Sequence, residues 1–316
     1  MRLLLTGVSG FIGFHLAKKL LETGNHVIGI DNLDSYYSIK LKSDRLEILS
    51  GFKQFEFHKM SLKEISGQSF KNIDVAINFA AQAGVRLPKN KHYKYQEFNI
   101  EGHKSFLDCC KKNKIENILY ASSSSVYSGL SDLPFSENRR IIKTKNKYAE
   151  SKLTNEKFSE NFTELTNSKI IGLRFFTVYG EYGRPDMAYY SFTNEILAGR
   201  EIVLFNDGET SRDMTNISDI VDGVLKSIDY LTNKNLRHEI FNLGNDSPIV
   251  TLDLVALIEN EFNAIAKVKF EYSPNEVMKT HADLTKAKRL LGYSPKISID
   301  DGLKSFFSWY KWYYKL

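Results

Sequence analysis

The chain has 316 residues, 42% of them hydrophobic, with 43 basic and 38 acidic side chains and a formal charge of +5. That length exceeds the usual single core, so one large unit with a smaller lobe, or two domains, is expected; the charges are spread without a long block of one sign, which does not favour nucleic acid as a partner. The two cysteines, Cys109 and Cys110, are neighbours in a helical pattern, a poor geometry for a disulfide or a metal cage, and no apolar run reaches the length of a membrane span. The expectation is a cytoplasmic protein without a metal and without stable membrane insertion, opening directly on a strand where a signal peptide would stand.

An apolar strand over Arg2–Leu5 feeds Gly7, Gly10 and Gly13 into a helix over Gly13–Thr23, and a second strand over His26–Ile30 ends on Asp31. Gly7 allows a tight turn, Gly10 lets a diphosphate approach backbone N–H groups, and Gly13 lets helix and strand pack closely. Asp31, eighteen residues past Gly13, is placed to accept hydrogen bonds from a ribose hydroxyl pair, and its charge repels the 2′-phosphate of NADP. The stretch predicts a dinucleotide site that takes NAD.

Further β-branched runs follow at Phe55–Phe57, Asp74–Phe79, Asn117–Ala121, Lys169–Phe176 and Glu239–Leu243, and apolar spacings of three and four predict helices over Glu101–Lys114 and Lys147–Glu164. Strands alternating with helices imply an α/β fold, a doubly wound Rossmann-type parallel sheet with helices on both faces. After Tyr179 the chain becomes loop-rich, which predicts a smaller mixed lobe built from two segments over the carboxyl edge of the sheet. The expected division is 1–178 and 213–243 for the dinucleotide, and 179–212 and 244–316 for the substrate. The basic stretch Asn138–Lys147 reads as a solvated loop, and the aromatic tail SFFSWYKWYYKL reads as a last helix packed on the small lobe.

Tyr148 and Lys152 form Y-x-x-x-K, which places both side chains on one helix face a single turn apart. Alone such a pair is most often a solvated face. An unperturbed phenol titrates near 10, so a base working near neutrality needs positive charge beside it, and Lys152 and an oxidised nicotinamide both offer that. Upstream, NILYASSSSVYS puts its serines at the carboxyl end of a predicted strand.

With these residues the chain resembles the extended short-chain dehydrogenase/reductase family over essentially its whole length, through TGVSGFIG, NFAAQAG, SSSSVY, YAESK, LRFFTVYG, SRD and HADLTKAKRLLGYSP. The resemblance implies that Ser123 holds a substrate hydroxyl, Tyr148 exchanges its proton and Lys152 grips the nicotinamide ribose. It also implies that Gly7, Gly10, Phe11, Ile12, Gly13, Asp31, Asn32, Ser61, Phe79, Ala80, Ala81, Gln82, Asn99, Tyr148, Lys152 and Phe175 line the NAD.

Dehydratases of the family carry an Asp–Glu pair where this chain has Ser124 and Ser125, and the related decarboxylases carry a Glu there. The site can thus move a proton and a hydride at one carbon but lacks a second acid–base group. DNLDSYYSIKLKSDRL, AAQAGVR and FFTVYGEYGRPDMA are most similar to the UDP-glucuronate 4-epimerases. On that resemblance Thr177 leaves space for a C6 carboxylate, Arg184 offers it a planar fork, and Ser123, Ser124 and Ser125 add hydroxyls. Arg212 and Arg86 meet the anionic end of a UDP-sugar, Phe205 flanks the uracil, and Glu276 completes the substrate set.

The chain departs from its relatives at Ser61, where an Asp is common, at Lys147, and at Ser273–Pro274–Asn275–Glu276, where an Arg precedes Asn–Gly–Asp. Two other readings stay open: a 4-epimerase of UDP-N-acetylhexosamines or UDP-hexoses, for which the small Thr280 leaves room, and a non-catalytic NAD-binding member. A homodimer through the helices bearing Tyr148 and Glu101–Lys114 is implied by the family.

Overall fold

The computed structural model describes residues 1–274 and 276–316. Its central sheet has seven parallel strands: β1 (Arg2–Thr6), β2 (His26–Asp31), β3 (Phe55–Lys59), β4 (Val75–Asn78), β5 (Asn117–Ser123), β6 (Lys169–Phe175) and the edge strand His238–Leu243. They lie in the order edge strand, β6, β5, β4, β1, β2, β3. The expected Rossmann-type sheet is therefore present. The chain runs outward from β1 to β3 and returns to β4, so a crevice opens where the carboxyl ends of β1 and β4 diverge, the usual ligand site of such sheets.

Period-two alternation explains why β1 is apolar throughout. Leu3 and Leu5 enter one core with the helix α1 (Phe11–Glu22) and the helix Ile217–Asn233, whereas Leu4 enters the opposite core with Phe106 of the helix Gly102–Lys112. Below the sheet a polar chain crosses the second core: the Thr6 hydroxyl donates to Asn78 Oδ1 (2.6 Å), Asn78 Nδ2 donates to His103 Nδ1 (3.0 Å), and His103 Nε2 meets the Ser159 hydroxyl (2.9 Å).

The strand β5 runs two residues beyond its expected end at Ala121, because Ser122 and Ser123 pair with Arg174 and Phe175 of β6. Beyond β6, Thr177–Tyr179, Ser211–Asn216 and Pro248–Val250 form a three-stranded sheet, and Glu201–Phe205 pairs with Lys267–Glu271. A third core collects there, rich in aromatics: Tyr179, Tyr189 and Tyr190 pack on Phe306, Trp309 and Tyr310 of the last helix, Ile299–Tyr314. The aromatic tail is therefore packed, and among the described residues no helix is long and apolar enough to cross a membrane. Residues 282–293 return to the first core against the helix Ile217–Asn233.

Burial holds His103 and His15 down to about 3 and His238 to about 4, against an ordinary 6.5. The unfolded chain takes up these protons below 6.5 while the folded chain refuses them, so the stability they contribute is present above 6.5 and lost as pH falls toward 4. Between about pH 7.5 and 5.5 the loss is about 1.4 kcal/mol for each histidine. Urea midpoints measured across that interval should fall accordingly, with a shallower fall in His103→Gln; a flat profile would contradict the neutral buried state.

Candidate active site

Gly7 takes φ +73°, and a Cβ on it would lie 2.7 Å from the backbone of Phe79 and Ala80; one on Gly13 would lie 2.1 Å from the Gly7 carbonyl. The loop can pass this close to the β4 end only as glycine. Gly10 begins α1 without a side-chain cap, and no acidic residue occupies the first turn. The first N–H groups of that helix, beginning at Phe11 and Ile12, are free to receive an anion, so the cradle fits a dinucleotide diphosphate.

Asp31 is buried at the end of β2, and its two oxygens accept from Ser9 N (3.1 Å) and Leu33 N (2.8 Å), leaving lone pairs for a hydroxyl pair. Asn32 beside it is exposed and accepts from Asp34 N. Ser61 begins the short helix Leu62–Ile65, its N–H donating to Glu64 at 2.6 Å, and Met60 N bonds the Asp31 carbonyl (3.1 Å), which sets this turn against the end of β2. Phe79, just past β4, and Phe175, the last residue of β6, meet edge to face at 5.5 Å.

Asn99 lies in a π-helical segment, Tyr95–Glu101, of a kind often found at functional sites. Its amide accepts from Gln82 N (2.7 Å) and donates to the Gln82 carbonyl (3.2 Å) and the Ser151 hydroxyl (3.0 Å). The Phe79–Gln82 segment, with Ala80 and Ala81, is thereby fixed to the helix Lys147–Glu164.

That helix carries Tyr148 and Lys152. Lys152 is 3% exposed and donates to the Ala121 carbonyl (2.8 Å), with Nζ 5.9 Å from the centroid of the Tyr148 ring. Burial pushes its ammonium down to about 8, with Glu156 pulling the other way. The Tyr148 phenol sits above its ordinary 10: burial outweighs the Arg184 guanidinium and the Ser123 hydroxyl, which both draw it down. The expectation from Y-x-x-x-K was positive charge beside this phenol from Lys152 and an oxidised nicotinamide; among the described residues Arg184 is a further cation that draws it down.

Ser123 accepts from Ser125 N and donates to the Ser125 hydroxyl, each at 3.2 Å, at the start of the turn Ser124–Gly129. Beneath it lies a buried ion pair. Arg174 donates Nε (2.8 Å) and Nη2 (2.7 Å) to Glu156, Nη1 reaches the Tyr127 hydroxyl (2.7 Å), and Ser122 adds a 2.5 Å bond to Glu156.

Arg184 grips Asp186 in a fork, Nε at 3.0 Å and Nη2 at 2.6 Å, and Tyr36 donates to the same carboxylate at 3.0 Å. Thr177 is half-buried at the start of its strand. Glu276 bridges Arg86 (2.6 Å) and Arg212, and the Arg86 guanidinium lies 4.6 Å over the Phe205 ring. The cations expected to meet ligand anions are thus engaged by the protein's own carboxylates. Sequence reasoning did not single out Tyr36, Asp186, Glu156 or Arg174, which hold these groups in place; of these, Asp186, two residues past Arg184, had a local signal.

Asp186 raises the Tyr148 phenol while Arg184 lowers it. Asp186→Asn should therefore lower the phenol's titration and move the acid limb of a pH–activity profile to lower pH. A limb shifted upward would contradict the placement of these charges.

Residues 3–244 match the NAD dependent epimerase/dehydratase family. The chain is 37% identical over 333 residues to UDP-glucuronate 4-epimerase 2 of Arabidopsis thaliana, covering 99% of this chain and 76% of that protein. It is 44% identical over 315 residues to an uncharacterised protein of Methanocaldococcus jannaschii, covering 98% and 95%. Among solved structures, the UDP-glucuronic acid 4-epimerase of Bacillus cereus in complex with UDP-glucuronic acid and NAD superposes with a TM-score of 0.92 at 33% identity, covering 99% of this chain and 100% of that one. The chain is therefore an NAD-dependent member of the epimerase/dehydratase family.

Proposed function

We propose that the protein inverts C4 of a UDP-hexuronate, interconverting UDP-glucuronate and UDP-galacturonate through a transient 4-keto sugar. The observation that carries this reading is Arg184, whose fork already holds a carboxylate, that of Asp186, at 3.0 and 2.6 Å, and whose charge draws the Tyr148 phenol down. A cation suited to a carboxylate thus stands beside the proposed base, as a C6 acid one carbon from the ring would require.

Bound NAD would supply hydride transfer to and from C4, lining the glycine cradle, Asp31, Asn32, Ser61, Phe79–Gln82, Asn99 and Phe175. Tyr148 removes the proton from the C4 hydroxyl and later returns it, Ser123 holds that oxygen, and Lys152 stabilises the deprotonated phenol and the ribose. The cofactor's positive ring adds to Arg184 in offsetting the burial that holds the phenol up. The keto sugar would then turn over, and with the hydride restored to the opposite face of C4 and the proton returned by Tyr148 to its oxygen, no net redox change would remain.

A 4-keto uronate is a β-keto acid and loses carbon dioxide when its carboxylate bond aligns with the carbonyl π system. Thr177, Ser124, Ser125 and Arg184, exchanging Asp186 for the substrate, hold that carboxylate near the ring plane and suppress the loss. Arg212 and Arg86 receive the diphosphate in exchange for Glu276, beside Phe205 and the uracil. In this reading residues 1–178 and 213–243 hold the dinucleotide, and 179–212 and 244–316 hold the UDP-sugar. A cytoplasmic homodimer supplying an activated sugar acid for polysaccharide synthesis goes with it.

Purified protein offered UDP-glucuronate and UDP-glucose separately tests the proposal. Turnover of the acid is expected, abolished in Tyr148→Phe and lowered about 10- to 100-fold in kcat/KM by Arg184→Ala, the loss of one charge-assisted fork. Turnover of neutral or N-acetylated sugars alone, indifferent to Arg184, would transfer the assignment to the hexose epimerases.

A further inference from the structure

Arg45, in the helix Ile39–Ser50, is fully buried, yet among the described residues no carboxylate pairs with it and its Nε has no partner. Its guanidinium instead joins two loops. Nη1 donates to the Ser9 carbonyl inside the glycine loop (2.7 Å) and to the Tyr37 hydroxyl (2.7 Å); Nη2 donates to the carbonyls of Tyr182 (2.5 Å) and Gly183 (3.0 Å), immediately before Arg184. The second loop is under strain. Tyr182 takes φ +50°, an uncommon conformation for an aromatic residue, and a Cβ on Gly183 would strike the Tyr189 hydroxyl at 1.7 Å. Such a backbone persists only when its surroundings over-determine it. His15 supplies one tie, to the Glu181 carbonyl (2.9 Å), and Arg45 supplies two more.

We infer that Arg45 is the positioning residue that couples the dinucleotide loop to the placement of Arg184, so that cofactor loading and recognition of the sugar's carboxylate are set together. This rests on the substrate reading above. A buried guanidinium without a paired counter-ion is costly; around the neighbouring Lys42, Asp31 and Asp34 supply negative charge while Arg45 and Arg184 add positive charge. The anion received at the glycine loop offsets that charge, which makes the strained loop cheapest to hold when the dinucleotide is bound. By linkage, the two ligands then tighten each other by the same factor.

Wild-type, Arg45→Lys and Arg45→Met proteins, each at saturating NAD, are titrated calorimetrically with UDP-glucuronate and with UDP-glucose, and retained nucleotide is quantified after denaturation. A lysine cannot span both loops, and a methionine removes the charge without changing the bulk much. The expected result is an about tenfold loss of the preference for the acid sugar, the size of one displaced charge-assisted contact, with UDP-glucose affinity nearly unchanged and NAD retained less tightly. A merely structural role would weaken both sugars alike. A folded variant with the wild-type preference overturns the inference. Where neither variant folds, Tyr37→Phe decides, since it removes one anchor of the guanidinium: a reduced preference supports the coupling and an unchanged one overturns it. A wild type that itself shows no preference for the acid overturns the substrate reading, and with it this inference.

Discussion

The buried pair between Glu156 and Arg174 is the constraint on which the reacting groups depend. Two charges withdrawn from water are tolerated only when geometry is good and the remaining polar atoms are satisfied. Here Glu156 accepts both fork bonds of Arg174 and the Ser122 hydroxyl, and the last Arg174 nitrogen finds Tyr127, which in turn donates to Asn242 at 2.8 Å. Strands β5 and β6, the edge strand, the serine turn and the helix of Tyr148 all contribute to this one network. Lys152 stands one helical turn from Glu156 and Tyr148 one turn further, so the pair fixes the height of the proposed catalytic residues against Ser123.

Above that anchor, the ligand-facing cations are held by internal acids. Asp186 occupies the fork of Arg184, and Glu276 sits between Arg86 and Arg212. Each acid resembles in charge the ligand group proposed to displace it, a carboxylate in one case and a diphosphate in the other. Arginines kept in such pairs stay oriented, and the exchange of one anion for another avoids leaving a partly buried guanidinium without a counter-charge.

What the sequence revealed was what is local along the chain. The glycine spacing, Asp31 and the Tyr148–Lys152 turn depend on contacts within one strand–helix unit or one helical turn, and the seven strands announce themselves by continuous apolar runs. Ser122 and Ser123, expected at the carboxyl end of the strand and beyond Ala121, remain in β5 because they pair with Arg174 and Phe175 and because Glu156, far along the chain, satisfies the Ser122 hydroxyl. Arg45 sits in a helix whose composition, IKLKSDRLEILS, suggests a solvated polar face, and the partners that bury it include the Ser9 carbonyl and the carbonyls of a loop more than a hundred residues away. The environment of the Tyr148 phenol was legible only in part for a related reason: spacing gives the neighbouring ammonium but neither the burial that raises the phenol nor the Arg184 that lowers it.

The most direct test of the account follows the hydrogen on C4. In the proposed epimerisation the proton moves through Tyr148 and the carbon-bound hydrogen stays out of contact with water. UDP-glucuronate deuterated at C4 should turn over more slowly than the protiated sugar and yield UDP-galacturonate that retains its deuterium. Product that has exchanged the label for solvent hydrogen would show deprotonation at carbon, and the roles assigned to Tyr148, Ser123 and Lys152 would fall with it.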